Sequence, residues 1–325
     1  MNLKRLLSAA AALVLILTSG LARAQTPATG VAPVDVHVGI YVIQLSEPDL
    51  KTSQFTAVFW LWFNWKGAPD LDPMKKFEVV GGQVEATDNQ DKKVTGDESY
   101  EVARVRATVT QSFDISRFPN DEHVLSLAVE ETTDGVQGIR YIADAVNSKL
   151  EKGLALSGWV IDNPSVAAST RVYASNFGDP TLPSDSTSEY ARFTLSVPVH
   201  RPGVGYTIKL FWSLYLSVFV ALLALNIKPF DLDPRFGLGV GAVFAAMASA
   251  YVISSALPDG NQVTLADRVV MWAVGFIVAS IIESIVSLRL HQCGKEAASR
   301  RLDVWMFLLM TGAYAGINAW LLAAA

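Results

Sequence analysis

The sequence predicts an all-β domain followed by a bundle of membrane-spanning helices. Of its 325 residues, 51% are hydrophobic and 18% are charged. This composition is too apolar for an ordinary soluble domain and too charged for a chain that lies wholly in lipid. Uninterrupted apolar spans of about 18 residues, the length that crosses a bilayer, occur only after His200 apart from the N-terminal leader. We therefore expect a domain boundary near residue 201.

The first 24 residues have the features of a secretory signal peptide. Lys4 and Arg5 precede an apolar run, and Ala22-Arg23-Ala24 provides the small residues of a cleavage site. The sequence therefore predicts a signal peptide over 1–24, an exported domain over 25–201 and a membrane domain over 202–325.

Charge and cysteine content constrain the exported domain. It carries 24 acidic and 15 basic residues, a net charge of −9, which attracts cations and argues against nucleic acid as a partner. The single cysteine, Cys293, lies beyond the third predicted span. An intrachain disulfide is thereby excluded, and packing alone must hold the exported domain together.

Short alternating runs between Val34 and Val199 predict a β-sandwich, which we expect to be immunoglobulin-like. The runs are VDVHVGIYVIQL, FTAVFWLWFNW, YEVARVRATVTQSF, HVLSLAVE, GWVIDN and YARFTLSVPV, with turn-forming residues between them. In FTAVFWLWFNW, Trp60 and Trp62 fall on the opposite face from Phe59 and Trp65. Either a neighbouring subunit covers that second face, or the strand is simply central in its own sheet.

Four helical spans are predicted in the membrane domain, at about 204–226, 235–255, 264–288 and 302–322. At about 1.5 Å per residue, each can cross a hydrocarbon core of about 30 Å. The second connection contains no basic residue. The first and third connections are flanked by Lys228, Arg235, Arg289, Lys295, Arg300 and Arg301. The first and third connections are therefore expected in the cytoplasm, and the second connection outside with the exported domain.

The second span has a stripe of residues at intervals of four and three, the spacing of one helix face. The stripe consists of Gly237, Gly241, Phe244, Ala248 and Tyr251. Such a face could line a pore, or its small residues could let membrane helices pack closely. The spacing alone leaves both interpretations open.

The segment FPND, residues 118–121, resembles the F-P-F-D core of the signature loop in pentameric ligand-gated ion channels, the Cys-loop receptor superfamily. Gln111 and Leu125 stand where animal receptors carry the bridging cysteines, which points to the bacterial branch. Further similar segments follow in order along the chain: APVDVHVGIYV, WFNWKG with Trp65, YARFTLSVPVHR ending in Arg201, and LPDGNQVTLADR. The resemblance covers nearly all of the mature chain in order and spacing.

This resemblance implies a homopentamer in a bacterial inner membrane, with the exported domain in the periplasm and the second span lining the pore. Phe244 would form an apolar constriction that gates by dewetting, Tyr251 a second ring, and Ala248 a neutral spacer. Gly237 and Gly241 stand at positions where relatives often have hydroxyl or amide side chains. The implied partners are identical subunits, the lipid bilayer, permeant ions and a small-molecule or cationic ligand, with no cofactor.

An acidic ring at the cytoplasmic mouth would favour cations. Asp231 and Asp233 are the residues that would form it, although Arg235 beside them opposes the effect. Glu283 lies inside the third span, where a relative in the family that the chain resembles has leucine. An intramembrane carboxylate is a candidate functional group, and the alternative is that it snorkels or pairs with cytoplasmic-side arginines.

In the family that the chain resembles, agonists bind between subunits at aromatic loops. Tyr173 and Tyr190 match the aromatic pair that brackets the loop SNFGDPTLPSDSTSE, whereas Thr132 replaces an aromatic residue beside Glu130. An amine or a divalent cation would suit such a site, and a solvated acidic turn is the alternative. The candidate ligand-binding set is Tyr173, Tyr190, Glu131, Asp134, Trp60 and Trp62. The stretch between Trp65 and Phe77 is shorter than in relatives, so part of the usual site must be rebuilt or missing.

The resemblance also implies a set of residues that couples the two domains: Pro119, Asp121, Arg201 and Pro258. Within this set we expect Asp121 to pair with Arg201. Two other classes of function are alternatives to a channel. A non-conducting membrane receptor or scaffold would share the architecture. An enzyme is not expected, because neither a nucleophile with its base nor metal-ligand spacing of histidines is visible in the sequence.

Overall fold

The computed structural model describes residues 32–183, 185–258, 260 and 262–324. The predicted signal peptide lies outside these residues. Eleven strands are described before the first long helix: β1 (Val34–Leu45), β2 (Gln54–Lys66), β3 (Phe77–Val79), β4 (Gly82–Thr95), β5 (Glu98–Thr110), β6 (Glu122–Glu131), β7 (Ile139–Ala143), β8 (Lys149–Leu150), β9 (Val160–Ile161), β10 (Ser165–Tyr173) and β11 (Ser188–His200). Short helical turns occur at Pro73–Lys75 and Gly135–Gly138.

The strands form two sheets that share one hydrophobic core. The first sheet has the order β4-β5-β2-β1-β7, with β8 also paired to β1. The second has the order β10-β11-β6-β3, with β9 paired to β11. Neighbouring strands are antiparallel, except that β7 and β8 run parallel to β1. The prediction of a strand-rich N-terminal domain is confirmed.

The alternation of buried and outward-facing side chains along β2 shows why these segments become strands. Phe59, Leu61, Phe63 and Trp65 are buried in the core between the sheets, and the residues between them face outward. Strand β4 is different, because its sequence GQVEATDNQDKKVT is exposed along most of its length. Backbone hydrogen bonds to β5 keep β4 in the sheet. Because little of β4 is buried, the hydrophobic pattern did not predict this strand.

Four long helices follow the strand domain: α1 (Gly205–Leu223), α2 (Leu232–Ser255), α3 (Leu265–Gln292) and α4 (Glu296–Ala323). A short 3-10 turn, Ala224–Asn226, extends α1. All four are long and apolar enough to cross a membrane, as expected of a multi-pass membrane protein. Helices α3 and α4 extend past the predicted spans, because hydropathy marks the part in lipid and a helix can continue into water with charged residues.

The strand domain packs directly onto the helices. Leu50, between β1 and β2, and Ile115 and Phe118, between β5 and β6, belong to the same buried cluster as Leu257 and Leu265 at the outer ends of α2 and α3. In the bundle, α2 packs on α1 and α3, and α4 packs on α3 and α1. Helices α2 and α4 therefore lie on opposite sides of the α1–α3 pair.

A capping box fixes the start of α3, beneath the strand domain. The Thr264 hydroxyl accepts from the Asp267 backbone N–H at 3.1 Å, and the Asp267 carboxylate accepts from the Thr264 N–H at 2.9 Å. Two of the amide groups that a helix start leaves without helical partners are satisfied in this way.

We expect Thr264→Ala to lower the free energy of unfolding by about 1 kcal/mol, because the cap loses its acceptor. Thermal unfolding of the detergent-solubilised chain would measure this. Thr311→Ala is the matched control. Among the described residues, the Thr311 hydroxyl donates only to the Phe307 carbonyl within α4, and such a bond adds little to a helix. An equal loss in both variants would contradict the capping role.

Candidate functional site

One face of α2 is not covered by any other part of the chain that the structure describes. The stripe residues Gly237, Gly241, Phe244, Ala248 and Tyr251 are all exposed, with Phe244 72% and Tyr251 75% exposed. The opposite face packs on α1 and α3 through small residues, including Gly239, Ala242 and Ala246. We call the stripe the open face of α2. Its small residues thus lie outside the helix contacts within this chain.

Charged residues at the start of α2 differ in their surroundings. Asp233 is exposed and Asp231 is half-buried. In contrast, Arg235 is only 1% exposed and forms ion pairs with Glu283 on α3 and Asp303 on α4. Glu283 thus has an arginine partner from another helix.

A cavity of about 510 Å³ lies on the second sheet, beside the ends of β6, β10 and β11. Aromatic rings and carboxylates line it: Tyr173, Phe177, Tyr190, Glu78, Glu130, Glu131, with Thr132 beside them. The centroids of the three rings are 5.5–6.2 Å apart, with interplanar angles of 56–66°. We call this group the aromatic cavity. Such rings present π-faces that attract a cation.

Phe177 was not singled out in the sequence, and the turn around it explains its placement. The Ser175 hydroxyl accepts from the Phe177 N–H at 3.0 Å, and the Asn176 side chain accepts from the Gly178 N–H at 3.0 Å. These bonds hold Phe177 at a φ of 51°, a left-handed conformation that few non-glycine residues adopt. An aromatic residue beside turn-forming ones in a long loop is the signal that could have found it.

Most carboxylates near the aromatic cavity already have partners. Glu130 accepts from the Tyr173 hydroxyl at 2.8 Å and from Arg192 at 2.6 Å. Burial, followed by the hydrogen bond to Glu130, raises the pKa of Tyr173, so the phenol stays protonated at neutral pH. Glu78 lines the cavity and is exposed. Within the described part of the chain it forms no ion pair, so it supplies the cavity with uncompensated negative charge.

Of the other predicted ligand residues, Glu131 borders the aromatic cavity, whereas Asp134, Trp60 and Trp62 are not among its lining residues. Glu131 is fully buried and accepts backbone N–H groups from residues 133–135. Asp134 pairs with Lys76 at 2.6 Å. Trp60 and Trp62 lie on β2 in the first sheet, half-buried, and Trp62 donates to Asp144. Within one chain, the structure does not bring the tryptophans to the aromatic cavity.

A buried ion pair lies where the strand domain meets the helices. Arg201 donates to Asp121 at 3.2 Å, and His123 contacts the other Asp121 oxygen at 2.7 Å. The Arg201 guanidinium lies 4.1 Å from the ring centroids of both Trp159 and Tyr206. The expected contact between Asp121 and Arg201 is therefore present, and His123, Trp159 and Tyr206 are partners that sequence reasoning missed.

The loop between β5 and β6, residues 111–121, also bonds to three parts of the membrane domain. Carbonyl oxygens of Ser116 and Phe118 accept from the first N–H groups of α3, at 3.0 and 3.1 Å. The Thr207 hydroxyl of α1 donates to Asn120 at 2.7 Å, and Gln262 donates to Asp114 at 2.9 Å. We call residues 111–121 the signature loop.

The two prolines of the predicted coupling set lie on either side of this contact. Pro119 is buried within the signature loop. Pro258 lies in the α2–α3 connection, directly after Leu257, which belongs to the same buried cluster as Phe118. The coupling set is thus distributed around the junction, with Asp121 and Arg201 as its directly bonded pair.

Comparisons with known proteins add no assignment. A scan against protein-family models finds no match, and a search of characterised proteins finds none either. The link to the channel family therefore rests on the segments quoted above. The observed architecture, two sheets followed by four apolar helices, is compatible with that family.

We expect tetramethylammonium to bind the aromatic cavity, and Tyr190→Ala to weaken its binding roughly tenfold, because one cation–π face is lost. Calorimetric titration of the detergent-solubilised full chain would measure the affinity. Tyr100→Ala, which changes a tyrosine on β5 outside the cavity, should leave it unchanged. Equal affinities for native protein and Tyr190→Ala, or no binding to either, would contradict a cation site there.

Asp121→Asn should lower the free energy of unfolding by about 3 kcal/mol, because Arg201, whose side chain is only 11% exposed, loses its counter-ion. The control Asp162→Asn removes the exposed contact with His200 and should cost no more than about 1 kcal/mol. Thermal unfolding of the full chain would compare them. Similar small losses in both would show that Arg201 does not depend on the Asp121 charge.

Proposed function

We propose that this protein is a pentameric ligand-gated ion channel, selective for cations. Five copies would surround an axis, each with an immunoglobulin-like sandwich outside the membrane and four helices within it. A ligand bound between neighbouring strand domains would open the pore. The proposal places the protein in a bacterial inner membrane with the strand domain in the periplasm.

The observation that carries this proposal is the open face of α2. The uncovered sides of α1 and α4 carry bulky apolar groups, including Trp212, Leu308 and Trp305, as expected for contact with lipid. The open face of α2 combines glycine and alanine with two aromatic residues, and the bulky apolar residues Val240, Met247 and Val252 are exposed beside it. Five such faces around an axis would give a narrow apolar passage with constrictions at Phe244 and Tyr251, which can block ions by dewetting.

Charge supports cations as the permeant ions. Asp233 is exposed near the inner end of the open face, while Arg235 is buried among carboxylates. The exported domain also has a net charge of −9 over residues 25–201. Negative charge at both ends of a narrow passage raises the local concentration of cations and lowers that of anions.

The pairing of β6 with β11 supports a route from a bound ligand to the pore. The cavity lies at one end of β6 and β11, and Asp121 and Arg201 lie just beyond their other ends. The two strands pair over nine residues between these ends. A displacement of either strand at the cavity would therefore reach the signature loop and, through its backbone bonds, the start of α3.

We expect Phe244→Ala to conduct ions without any ligand, because truncation of the proposed apolar gate widens and wets it. Current across planar bilayers containing the purified protein would test this, with native protein expected to stay silent. Phe219→Ala is the matched control, since Phe219 is an exposed phenylalanine of α1. Silence from an assembled Phe244→Ala protein would favour the alternative function, a non-conducting receptor of the same architecture.

A further inference from the structure

At the end of the bundle that holds the α1–α2 connection, one arginine is bound by several segments of the chain. Arg235 of α2 donates to Glu283 on α3 at 3.0 Å and to Asp303 on α4 at 2.6 Å. It also donates to the Ser284 hydroxyl and to the Ile227 carbonyl, each at 3.0 Å. We call Arg235, Glu283 and Asp303 the arginine cluster.

The geometry of a guanidinium makes this arrangement restrictive. Its five N–H donors lie in one plane and point in fixed directions. Here its donors reach α3, α4 and the segment after α1, so a rotation or shift of α2 would break several hydrogen bonds. The alternative positions for Arg235 are poor, because a charge without partners in an apolar region is strongly disfavoured.

The packing one turn further along α2 reinforces this contact. A Cβ atom at Gly239 would lie 2.9 Å from the Ile281 Cγ1 atom of α3, closer than carbon atoms normally approach. Glycine therefore allows α2 and α3 to lie close together beside the arginine cluster. On α3, the small residues Ser280 and Ser284 bond to their own helix or to Arg235.

The cluster has a defined position relative to the open face of α2. A helix turns about 100° per residue, so Arg235 lies about 200° around the axis from Gly237. Asp233, four residues before Gly237, lies only about 40° from it. The contacts of Arg235 thus turn its positive charge away from the open face and leave the Asp233 carboxylate close to that face.

We propose that Arg235, Glu283 and Asp303 are positioning residues that set the rotation of α2 about its own axis. They thereby determine that the carboxylate of Asp233 faces the ion path and that the guanidinium of Arg235 does not. The effect on ions rests on the proposed channel function, whereas the effect on helix orientation does not depend on conduction.

Helix orientation can be tested by cysteine labelling in lipid vesicles. In a Cys293→Ser background, Gly237→Cys reports the open face and Ala242→Cys the packed face. The labelling rates with a water-soluble thiol reagent are compared with native Arg235, with Arg235→Gln and with the control Arg268→Gln, which changes an exposed arginine of α3. Arg235→Lys, which keeps the charge and loses the planar fork, serves if Arg235→Gln does not assemble.

We expect Gly237→Cys to react at least about tenfold faster than Ala242→Cys when Arg235 is native, since the second position is buried. In Arg235→Gln or Arg235→Lys this ratio should fall about tenfold, and in Arg268→Gln it should persist. An unchanged ratio in the Arg235 variants would overturn the positioning role. A fall in Arg268→Gln of the same size would also overturn it, because any loosening of the bundle would then suffice.

Ion selectivity tests the second half of the proposal. In the Phe244→Ala background, the double variant Glu283→Gln/Asp303→Asn leaves Arg235 without a counter-ion. We expect its cation-to-anion permeability ratio, measured from reversal potentials, to fall about tenfold, because the positive charge of Arg235 is then uncompensated. In salt solution such a charge acts over a Debye length, about 10 Å at 0.1 M ionic strength. Glu296→Gln, which neutralises an exposed carboxylate at the start of α4, is the control.

An unchanged permeability ratio in the double variant would overturn the selectivity role even if labelling supports the orientation role. If no variant conducts, Phe244→Ala included, the channel proposal itself fails, and the selectivity role fails with it. The labelling ratio still decides whether the arginine cluster orients α2. The failure of the channel proposal and the failure of the positioning proposal therefore give different results.

Discussion

The structure depends on how a strand domain is attached to the ends of four helices, and the pair of Asp121 and Arg201 lies at the centre of that attachment. Arg201 directly follows β11, where the chain leaves the second sheet. Its guanidinium bonds to the carboxylate of Asp121, which is 1% exposed. The same guanidinium lies 4.1 Å from the centroids of two aromatic rings. Because the Asp121 carboxylate and the two rings both fix Arg201, the chain has little freedom in how it enters the membrane domain.

The neighbouring signature loop extends this attachment to other helices. Its backbone carbonyls accept from the first N–H groups of α3, and its side chains bond to α1 and to the α2–α3 connection. Helix starts carry partial positive charge and free N–H groups, so a loop that supplies carbonyl oxygens is well suited to them. The two domains thus share hydrogen bonds and a buried cluster of apolar side chains.

The elements that the sequence predicted well are those in which burial produces a regular pattern. Alternation identified β1, β2 and β11, because one face of each strand is buried. Hydropathy identified the four helices. Strand β4 was missed because its side chains are mostly exposed. Helices α3 and α4 extend beyond the predicted apolar spans because charged residues such as Arg289 and Arg300 continue them.

At the candidate sites, residue types were easier to predict than partners. Tyr173 and Tyr190 do meet in one cavity, whereas Phe177 joins them only through the conformation of a loop. An arginine partner for Glu283 was considered among the cytoplasmic-side arginines, of which Arg289 is nearest in sequence. The observed partner, Arg235, is another of these cytoplasmic-side arginines and lies 48 residues from Glu283 in sequence. Such contacts depend on how helices pack, which periodicity within one helix does not encode.

The short link between α3 and α4 has a mechanical consequence. Helix α3 ends at Gln292 and α4 begins at Glu296, so three residues separate two helices of 28 residues each. The short turn limits how far the linked ends of α3 and α4 can move apart. A displacement of α4 at this turn would therefore reach α3, whose first residues bond to the signature loop.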